Sequence, residues 1–202
     1  IPVQRAGRPA RCVWLLAASL GGPTAVKTFL DHLPADLPVA FIYAQHIDAG
    51  FEERLPGIIG RQNDWRIINC VAGTELHDGD VLVAPIKRRL LFNPEGRVQL
   101  SDAPWPGLYQ PSIETLLDQL GDTFAPACGA IIFSGMGEDG VSACRRLRHQ
   151  GIEVWTQDPL SAACAVMPEA VAAAGLSSRQ GDPAALAAAL QTWLAQEWPV
   201  AL

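Results

Sequence analysis

Short apolar runs alternate along the chain with longer stretches in which apolar residues recur every three or four positions. The apolar runs predict strands at 12–18, 39–45, 66–72, 80–85, 129–134 and 152–157. The amphipathic stretches predict helices at 23–33, 51–62, 112–124, 141–149, 161–174 and 183–197. Continuous apolar strands separated by helices are typical of a parallel sheet covered on both faces. We therefore predict an α/β fold with a doubly wound, mainly parallel sheet and helices on both of its faces.

One segment interrupts this alternation. Residues 88–102 predict a β-hairpin insertion, with Asn93-Pro94-Glu95-Gly96 as its turn. The following segment, 103–111, is a Pro-rich aromatic loop without periodicity, either a connector or a wall of a cleft. The sequence contains no internal repeat. We predict a linker-like N-terminal segment at 1–11 and a single domain at 12–202.

Composition and charge exclude several classes of protein. Charged residues make up only 18% of the chain, which leaves enough apolar residues for a sizeable core. No apolar run reaches the roughly 20 residues that a membrane span needs, so we expect no membrane insertion. The net charge of −6 disfavours a nucleic-acid or anionic-membrane partner. Five cysteines without a C-x-x-C pair predict reduced thiols in a cytoplasmic protein.

Polar side chains follow three of the predicted strands. Ser19 comes after the first strand, His46 after the second, and Asp139 after the strand at 129–134. In open α/β sheets, ligands bind outside the carboxyl ends of the strands. A serine nucleophile needs an imidazole base and a carboxylate that orients it, and these three residues supply that set. Glycines after Ser19, beginning with Gly21, would turn backbone N–H groups toward an oxyanion.

Each of these residues also has a structural interpretation. Ser19 could cap the following helix, His46 could be a hydrogen-bonded histidine at a strand end, and Asp139 could cap the helix that begins near Val141. The placement of all three at one sheet edge favours a site. The remaining histidines, at positions 32, 77 and 149, lack the i, i+4 partner of a helical metal pair. We therefore expect no metal.

The segment around residue 135 also spells a dinucleotide-binding fingerprint, Gly135-x-Gly137-x-x-Gly140. It lies between a strand and a helix, and Asp158 ends the next strand, where an acid would bind a ribose. Electrostatics oppose this interpretation because Glu138 and Asp139 would face a pyrophosphate. Two like charges about 4 Å apart repel by about 1 kcal/mol in water and about 4 kcal/mol at a dielectric constant of 20. A catalytic carboxylate is therefore favoured, without a cofactor.

Four blocks of the chain resemble the signature blocks of one protein family, and they occur in the same order as in that family. They are AASLGGPTAV (17–26), AQHIDAGFEERL (44–55), SGMGEDG (134–140) and QDPLSAACAVMPEAV (157–171). They are similar to the signature blocks of the chemotaxis receptor methylesterases, which have a CheB-type catalytic domain. The resemblance implies hydrolysis of glutamate γ-methyl esters on the cytoplasmic helices of chemoreceptors. It also implies deamidation of receptor glutamines at the same site.

Carried over by position, the resemblance makes Ser19 the nucleophile, His46 the base and Asp139 the orienting acid. It places the backbone N–H of Met136 at the oxyanion. Three positions depart from the family pattern: Ala17 replaces a glycine, Leu20 stands where a small or hydroxyl residue is usual, and Gln110 replaces an arginine near the cleft. We expect activity, with the departures at Leu20 and Gln110 affecting turnover or the choice of receptor.

The same family usually carries an N-terminal phosphoacceptor receiver domain, which is not among these residues. The segment 1–11 would suit a chain cut after such a domain, and equally a stand-alone esterase. Two other functions stay open at this point. One is the dinucleotide-binding domain, and the other is a catalytically silent homologue that binds receptors as an adaptor.

Overall fold

The centre of the molecule is a seven-stranded parallel sheet with strand order β3-β4-β2-β1-β7-β8-β9. The computed structural model describes residues 7–198. The strands are β1 (Val13–Ala18), β2 (Ala40–Gln45), β3 (Arg66–Ile68), β4 (Asp80–Val83), β5 (Arg89–Phe92), β6 (Val98–Ser101), β7 (Cys128–Ile132), β8 (Glu153–Gln157) and β9 (Arg179–Gly181). Strands β5 and β6 pair separately as an antiparallel hairpin.

Helices cover both faces of the sheet. They are α1 (Gly22–Asp31), α2 (Leu55–Ile59), α3 (Ile113–Phe124), α4 (Val141–His149), α5 (Val166–Ala173) and α6 (Pro183–Glu197), and a 3₁₀ helix, Ala49–Arg54, precedes α2. Successive side chains of β1 point to opposite faces. Trp14 and Leu16 pack with α1, α2 and α6, whereas Val13 and Leu15 pack with α3, α4 and α5. The predicted doubly wound α/β fold is confirmed.

The strand order creates a switch point beside β1. The chain leaves β1 for β2 on one side, and later segments fill the other side through β7, β8 and β9. Because all these strands are parallel, the carboxyl ends of β2, β1 and β7 meet at one edge of the sheet. Ligand sites of open α/β sheets form at such an edge.

The predicted hairpin is also present, as β5 and β6 with their turn at 93–96. The side-chain oxygen of Asn93 accepts hydrogen bonds from the backbone N–H groups of Glu95 (3.0 Å) and Arg97 (2.9 Å). Such Asx contacts favour the turn. The hairpin lies on α3, where the backbone N–H of Phe92 donates to Gln119. The hairpin therefore packs against α3 on the same side of the sheet.

Four elements differ from the predicted ones. The strand predicted at 66–72 is shorter, since β3 ends at Ile68. Strand β9 has no apolar run and is held by its pairing with β8, so periodicity could not find it. The helix predicted at 51–62 begins as a 3₁₀ helix, and its α-helical part contains Pro56 and Gly57. The helix predicted at 161–174 begins only at Val166, since Ser161 instead donates to the carbonyl of Asp158 in a turn.

The predicted N-terminal segment is only partly within the described residues. Positions 1–6 lie outside them. Within the rest, the backbone N–H of Ala10 donates to the carbonyl of Leu76 (2.9 Å), and Pro9 forms an isolated bridge with His77. These contacts hold residues 9 and 10 against the loop before β4. The linker assignment stays a prediction.

Gly129 of β7 should be intolerant of a side chain. A methyl group there would lie 2.5 Å from the ring of the fully buried Trp14. Overpacking of this kind typically costs about 1–3 kcal/mol, so we expect Gly129→Ala to lower the free energy of unfolding by about that amount. Urea unfolding would measure it. Gly57→Ala is the matched control, because open space surrounds Gly57; an equal loss in both variants would contradict the packing argument.

Candidate active site

The strand pairing brings Ser19 and His46 together. Ala18 pairs with Gln45 in the register of β1 and β2, so the next residues of the two strands, Ser19 and His46, are neighbours at the carboxyl edge. The backbone N–H of His46 donates to the carbonyl of Ala18 (2.9 Å). On the other side, the backbone N–H of Ser19 donates to the carbonyl of Ser134, beyond the end of β7 (3.0 Å). Ser19 therefore lies between the ends of β2 and β7.

Asp139 joins this pair from the loop after β7. Its Oδ2 lies 2.8 Å from Nε2 of His46, and the two side chains are only 4% and 12% exposed. The carboxylate also accepts hydrogen bonds from the backbone N–H groups of Ile113 (2.8 Å) and Glu114 (3.1 Å). These groups begin α3, and a helix N-terminus stabilises a negative charge. Sequence reasoning offered Asp139 as a cap for the helix beginning near Val141, which is wrong: its side chain caps α3.

The contacts of Asp139 determine the tautomer of His46. An ionised carboxylate only accepts hydrogen bonds, and this one already accepts two from backbone N–H groups. Nε2 of His46 must therefore carry the proton that it shares with Asp139. Nδ1 is left with a lone pair, and within residues 7–198 it has no hydrogen-bond partner. The free nitrogen of the imidazole is thus the one that can accept a proton.

The side chain of Ser19 does not serve α1 as a cap. Helix α1 has Gly21 as its N-cap, in a left-handed conformation with φ of 77°, and no side chain caps it. The described part of the chain contains no hydrogen bond to Oγ of Ser19. The capping interpretation is therefore wrong. Nucleophilic catalysis requires a hydroxyl that is free of other partners, and the hydrogen bond from such a hydroxyl to its base often forms only when substrate binds.

Several backbone N–H groups near Ser19 are available as donors. Those of Leu20, Gly21 and Met136 have no acceptor among the described residues. The segment before Met136 approaches Ser19 closely, since a methyl group on Gly135 would lie 2.6 Å from Cβ of Ser19. Only a glycine at 135 permits this approach. The two turns can thus offer donors to an oxyanion, and the part assigned to Met136 stays a prediction.

Buried polar side chains that sequence reasoning did not assign to the site support it. Oη of Tyr43 donates to Oε1 of Gln45 (2.6 Å), whose Nε2 donates to the carbonyls of Ser19 (2.7 Å) and His46 (3.1 Å). Oγ of Ser134 donates to the carbonyl of Leu20 (2.6 Å). These bonds hold the backbone of both strand ends. Gln45 could have been found from the sequence, because it is a polar residue at the end of an otherwise apolar strand.

The aromatic loop at 103–111 reaches the same edge. The ring of Tyr109 stacks on that of His46, with centroids 4.8 Å apart and an angle of 7° between the planes. Gln110 is exposed and makes no hydrogen bond within the described residues. Leu20 and Met136, with 61% and 55% of their surfaces exposed, lie in the turns after β1 and β7. The sequence left open whether this loop is a connector or a wall of the cleft. The contact of Tyr109 with His46 agrees with a wall of the cleft.

The dinucleotide alternative meets an obstacle at α4. A pyrophosphate would need the backbone N–H groups at the start of this helix. Oε2 of Glu114 already accepts from the N–H of Ala143 there (3.1 Å), and the Asp139 carboxylate lies immediately before the helix. Asp158, the candidate ribose ligand, accepts from the N–H of Leu160 in its own turn. The Gly135–Gly140 turn presents carboxylates rather than an anion site.

Other kinds of site find no support in the described part of the chain. Residues 7–198 contain no cluster of three or more candidate metal ligands, and no helix in that range is long and apolar enough to cross a bilayer. All five cysteines are free. Burial raises the pKa of four thiols to about 12: Cys12, Cys70, Cys128 and Cys144. These thiols are therefore poor nucleophiles.

Comparison with known proteins identifies the family. The family model described as CheB methylesterase matches residues 14–190. Protein-glutamate methylesterase FrzG of Myxococcus xanthus is 33% identical over 179 residues, which cover 89% of this chain and 54% of the relative. A protein-glutamate methylesterase/protein-glutamine glutaminase of Anaeromyxobacter dehalogenans is 35% identical over 187 residues, which cover 92% and 55%.

The chain thus spans about half the length of the curated relatives that it matches. Among solved structures, the CheB methylesterase catalytic domain of Thermotoga maritima superposes with a TM-score of 0.84 at 22% identity, over 90% of this chain and 98% of that one. This likeness shows the shared fold. The family match over most of the sequence, together with the relatives above 30% identity, shows that the chain belongs to the CheB methylesterase family.

Proposed function

We propose that this chain is the hydrolytic domain of a protein-glutamate methylesterase that removes γ-methyl esters from the cytoplasmic helices of chemoreceptors. The observation that carries the proposal is the buried Asp139–His46 hydrogen bond beside Ser19, at the carboxyl edge of the sheet. Membership of the CheB methylesterase family, and the relatives that are protein-glutamate methylesterases, support the substrate. The enzyme would act in the cytoplasm of a chemosensory pathway, and it would need no metal or cofactor.

The acylation step uses two atoms of the site that have no other hydrogen-bond partner within the described residues, Oγ of Ser19 and Nδ1 of His46. Oγ of Ser19 attacks the ester carbonyl carbon and forms a bond to it, while the hydroxyl proton moves to Nδ1 of His46. The carbonyl π electrons move to oxygen, and the free N–H groups of the turns at 20–21 and 136 stabilise the oxyanion. Asp139 stabilises the imidazolium through Nε2–H.

Collapse of this intermediate breaks the bond to the methoxy group, which takes the proton from Nδ1 and leaves as methanol. A glutamyl ester of Ser19 remains. Water then attacks this ester, gives its proton to Nδ1, and releases glutamate and the free Ser19 hydroxyl in the reverse sequence. A glutamine side chain could enter the same route, with ammonia as the leaving group, as the glutaminase part of several relatives' names suggests.

Partners follow from the same proposal. The protein substrate is the methylated cytoplasmic helix of a receptor, and no nucleic-acid partner is expected of a chain with a net charge of −6. The matched segment covers only about half of the curated relatives, and a regulatory receiver domain is proposed as a further partner, on the same polypeptide or a separate one.

The decisive experiment measures methanol released from membranes that carry methylated chemoreceptors. Release that depends on Ser19 would establish the esterase. Receptor binding without release from the wild-type protein, across several receptors and with a verified fold, would instead indicate the adaptor.

Leu20 tests whether the residue after the nucleophile sets the activity. Its side chain is exposed, and the described residues bond only to its backbone carbonyl. An exposed substitution changes stability little, and the Leu20 side chain holds no described group of the site by a hydrogen bond. In contrast to the expectation from sequence, we therefore expect Leu20→Thr to retain the wild-type kcat within about twofold. Steady-state methanol release would measure it, with Leu160→Thr, also exposed, as the matched control. A sharp loss in the Leu20 variant alone would show that Leu20 shapes the substrate site.

A further inference from the structure

Tyr109 makes a contact that the triad chemistry does not explain. Its ring lies parallel to the imidazole of His46, with centroids 4.8 Å apart and planes inclined by 7°. Its hydroxyl lies against the turn that carries Asp139, since a methyl group on Gly137 would come within 2.8 Å of that oxygen. The phenol therefore touches both the base and the loop of the orienting acid.

The stacking of Tyr109 on the face of His46 leaves both ring nitrogens at the edge of the imidazole accessible. Both ring nitrogens lie in the plane of the ring, so a partner on the face obstructs neither the bond from Nε2 to Asp139 nor the lone pair of Nδ1. A parallel ring restricts the tilt of the imidazole. It also presents its π face, the negative side of an aromatic quadrupole, to a group that becomes a cation when it accepts the proton of Ser19.

The ring, rather than the hydroxyl, carries this contact. Within residues 7–198 the Tyr109 hydroxyl has no hydrogen-bond partner. Removal of that oxygen therefore breaks no bond, whereas removal of the ring uncovers a face of His46.

We propose that Tyr109 is a positioning residue of this hydrolase, which holds the plane of His46 and stabilises its imidazolium through the face of the ring. This inference rests on the proposed function, because it assigns Tyr109 an action on the proton transfer from Ser19 to His46. It applies to acylation and deacylation alike, since His46 is protonated in both.

The test compares Tyr109→Leu, Tyr109→Phe and Tyr109→Trp in methanol release, with Leu108→Ala as the control. Leu108 is a neighbour in the same loop whose side chain is almost fully exposed. We expect Tyr109→Leu to lower kcat about tenfold, the size of a partly desolvated cation–π contact, with KM unchanged. The Phe and Trp variants, which keep a ring, should stay within about threefold of wild type.

Four results would overturn the proposal: full activity of Tyr109→Leu, equal losses in the Leu and Phe variants, an effect on KM alone, or an equal loss in Leu108→Ala. Thermal unfolding of each variant separates an unfolded protein from an inactive one. If the Leu variant unfolds, Tyr109→Gln, which also removes the ring, replaces it with the same expected loss in kcat. A parallel Ser19→Ala sample distinguishes the two hypotheses. If the wild-type protein releases no methanol, the proposed function fails; if Ser19→Ala matches wild type, Ser19 is not the nucleophile; if release depends on Ser19 but Tyr109→Leu is neutral, only the role of Tyr109 fails.

Discussion

Ser19→Ala should reduce methanol release to the background rate, a loss of at least about 10⁴-fold, while leaving the fold intact. The alanine removes the atom that forms the acyl-enzyme, and no thiol or second hydroxyl takes its place in the mechanism. The fold should survive because the Ser19 hydroxyl makes no hydrogen bond within residues 7–198, and the backbone contacts of this residue do not depend on its side chain.

The matched control for this prediction is Thr192→Ala. It also removes a hydroxyl, from an exposed position on helix α6, and should leave the release rate unchanged. Circular dichroism would establish that both variants are folded. Residual activity near wild type in Ser19→Ala would reject Ser19 as the nucleophile, even if the esterase activity itself is confirmed.

Asp139→Asn should lower kcat by about 10⁴-fold through the wrong tautomer of His46, as in serine proteases with the same change. The backbone N–H of Glu114 donates to Oδ1 of Asp139, whereas Oδ2 accepts from Ile113 and faces Nε2 of His46. In the orientation that keeps an oxygen for Glu114, the amide nitrogen takes the Oδ2 position and faces Nε2 of the imidazole. An N–H donor there moves the ring proton to Nδ1, which can then no longer accept the proton of Ser19. Methanol release measured as a function of substrate concentration would show the loss in kcat.

The same variant should also be less stable. The carboxylate of Asp139 lies at the N-terminus of α3, where a buried negative charge contributes about 1–2 kcal/mol. Asp118→Asn is the matched control on the same helix, because its carboxylate is partly exposed and pairs with Arg146. It should change stability only slightly and activity not at all. Equal kcat values for Asp139→Asn and wild type would refute the orienting role of Asp139.

The three proposed catalytic side chains could be found from sequence because two simple rules place them. Apolar runs mark buried parallel strands, and the carboxyl ends of neighbouring strands share an edge. The first residues after β1 and β2, Ser19 and His46, follow directly from these rules. Asp139 is farther from the end of β7, yet the glycine-rich turn keeps it at the same edge. Because these residues follow their strands closely, their positions at the sheet edge are nearly fixed by the strands.

The supporting contacts could not be predicted because each depends on tertiary packing. Tyr109 belongs to a loop without periodicity, and nothing in its spacing indicates that its ring meets His46. The link between Asp139 and α3 joins segments more than twenty positions apart through backbone N–H groups, which every sequence contains. Gln45 was visible as a polar residue at a strand end, but its bonds to both neighbouring carbonyls require the paired strands.

The outermost strands of the sheet, β3 and β9, have a consequence for behaviour at high concentration. Each is only three residues long and begins with an arginine, Arg66 or Arg179. Long, flat, apolar strands at the margin of a sheet act as templates on which a second chain can add a strand, whereas short and charged ones resist this. The two open margins of this sheet are therefore poor seeds for aggregation.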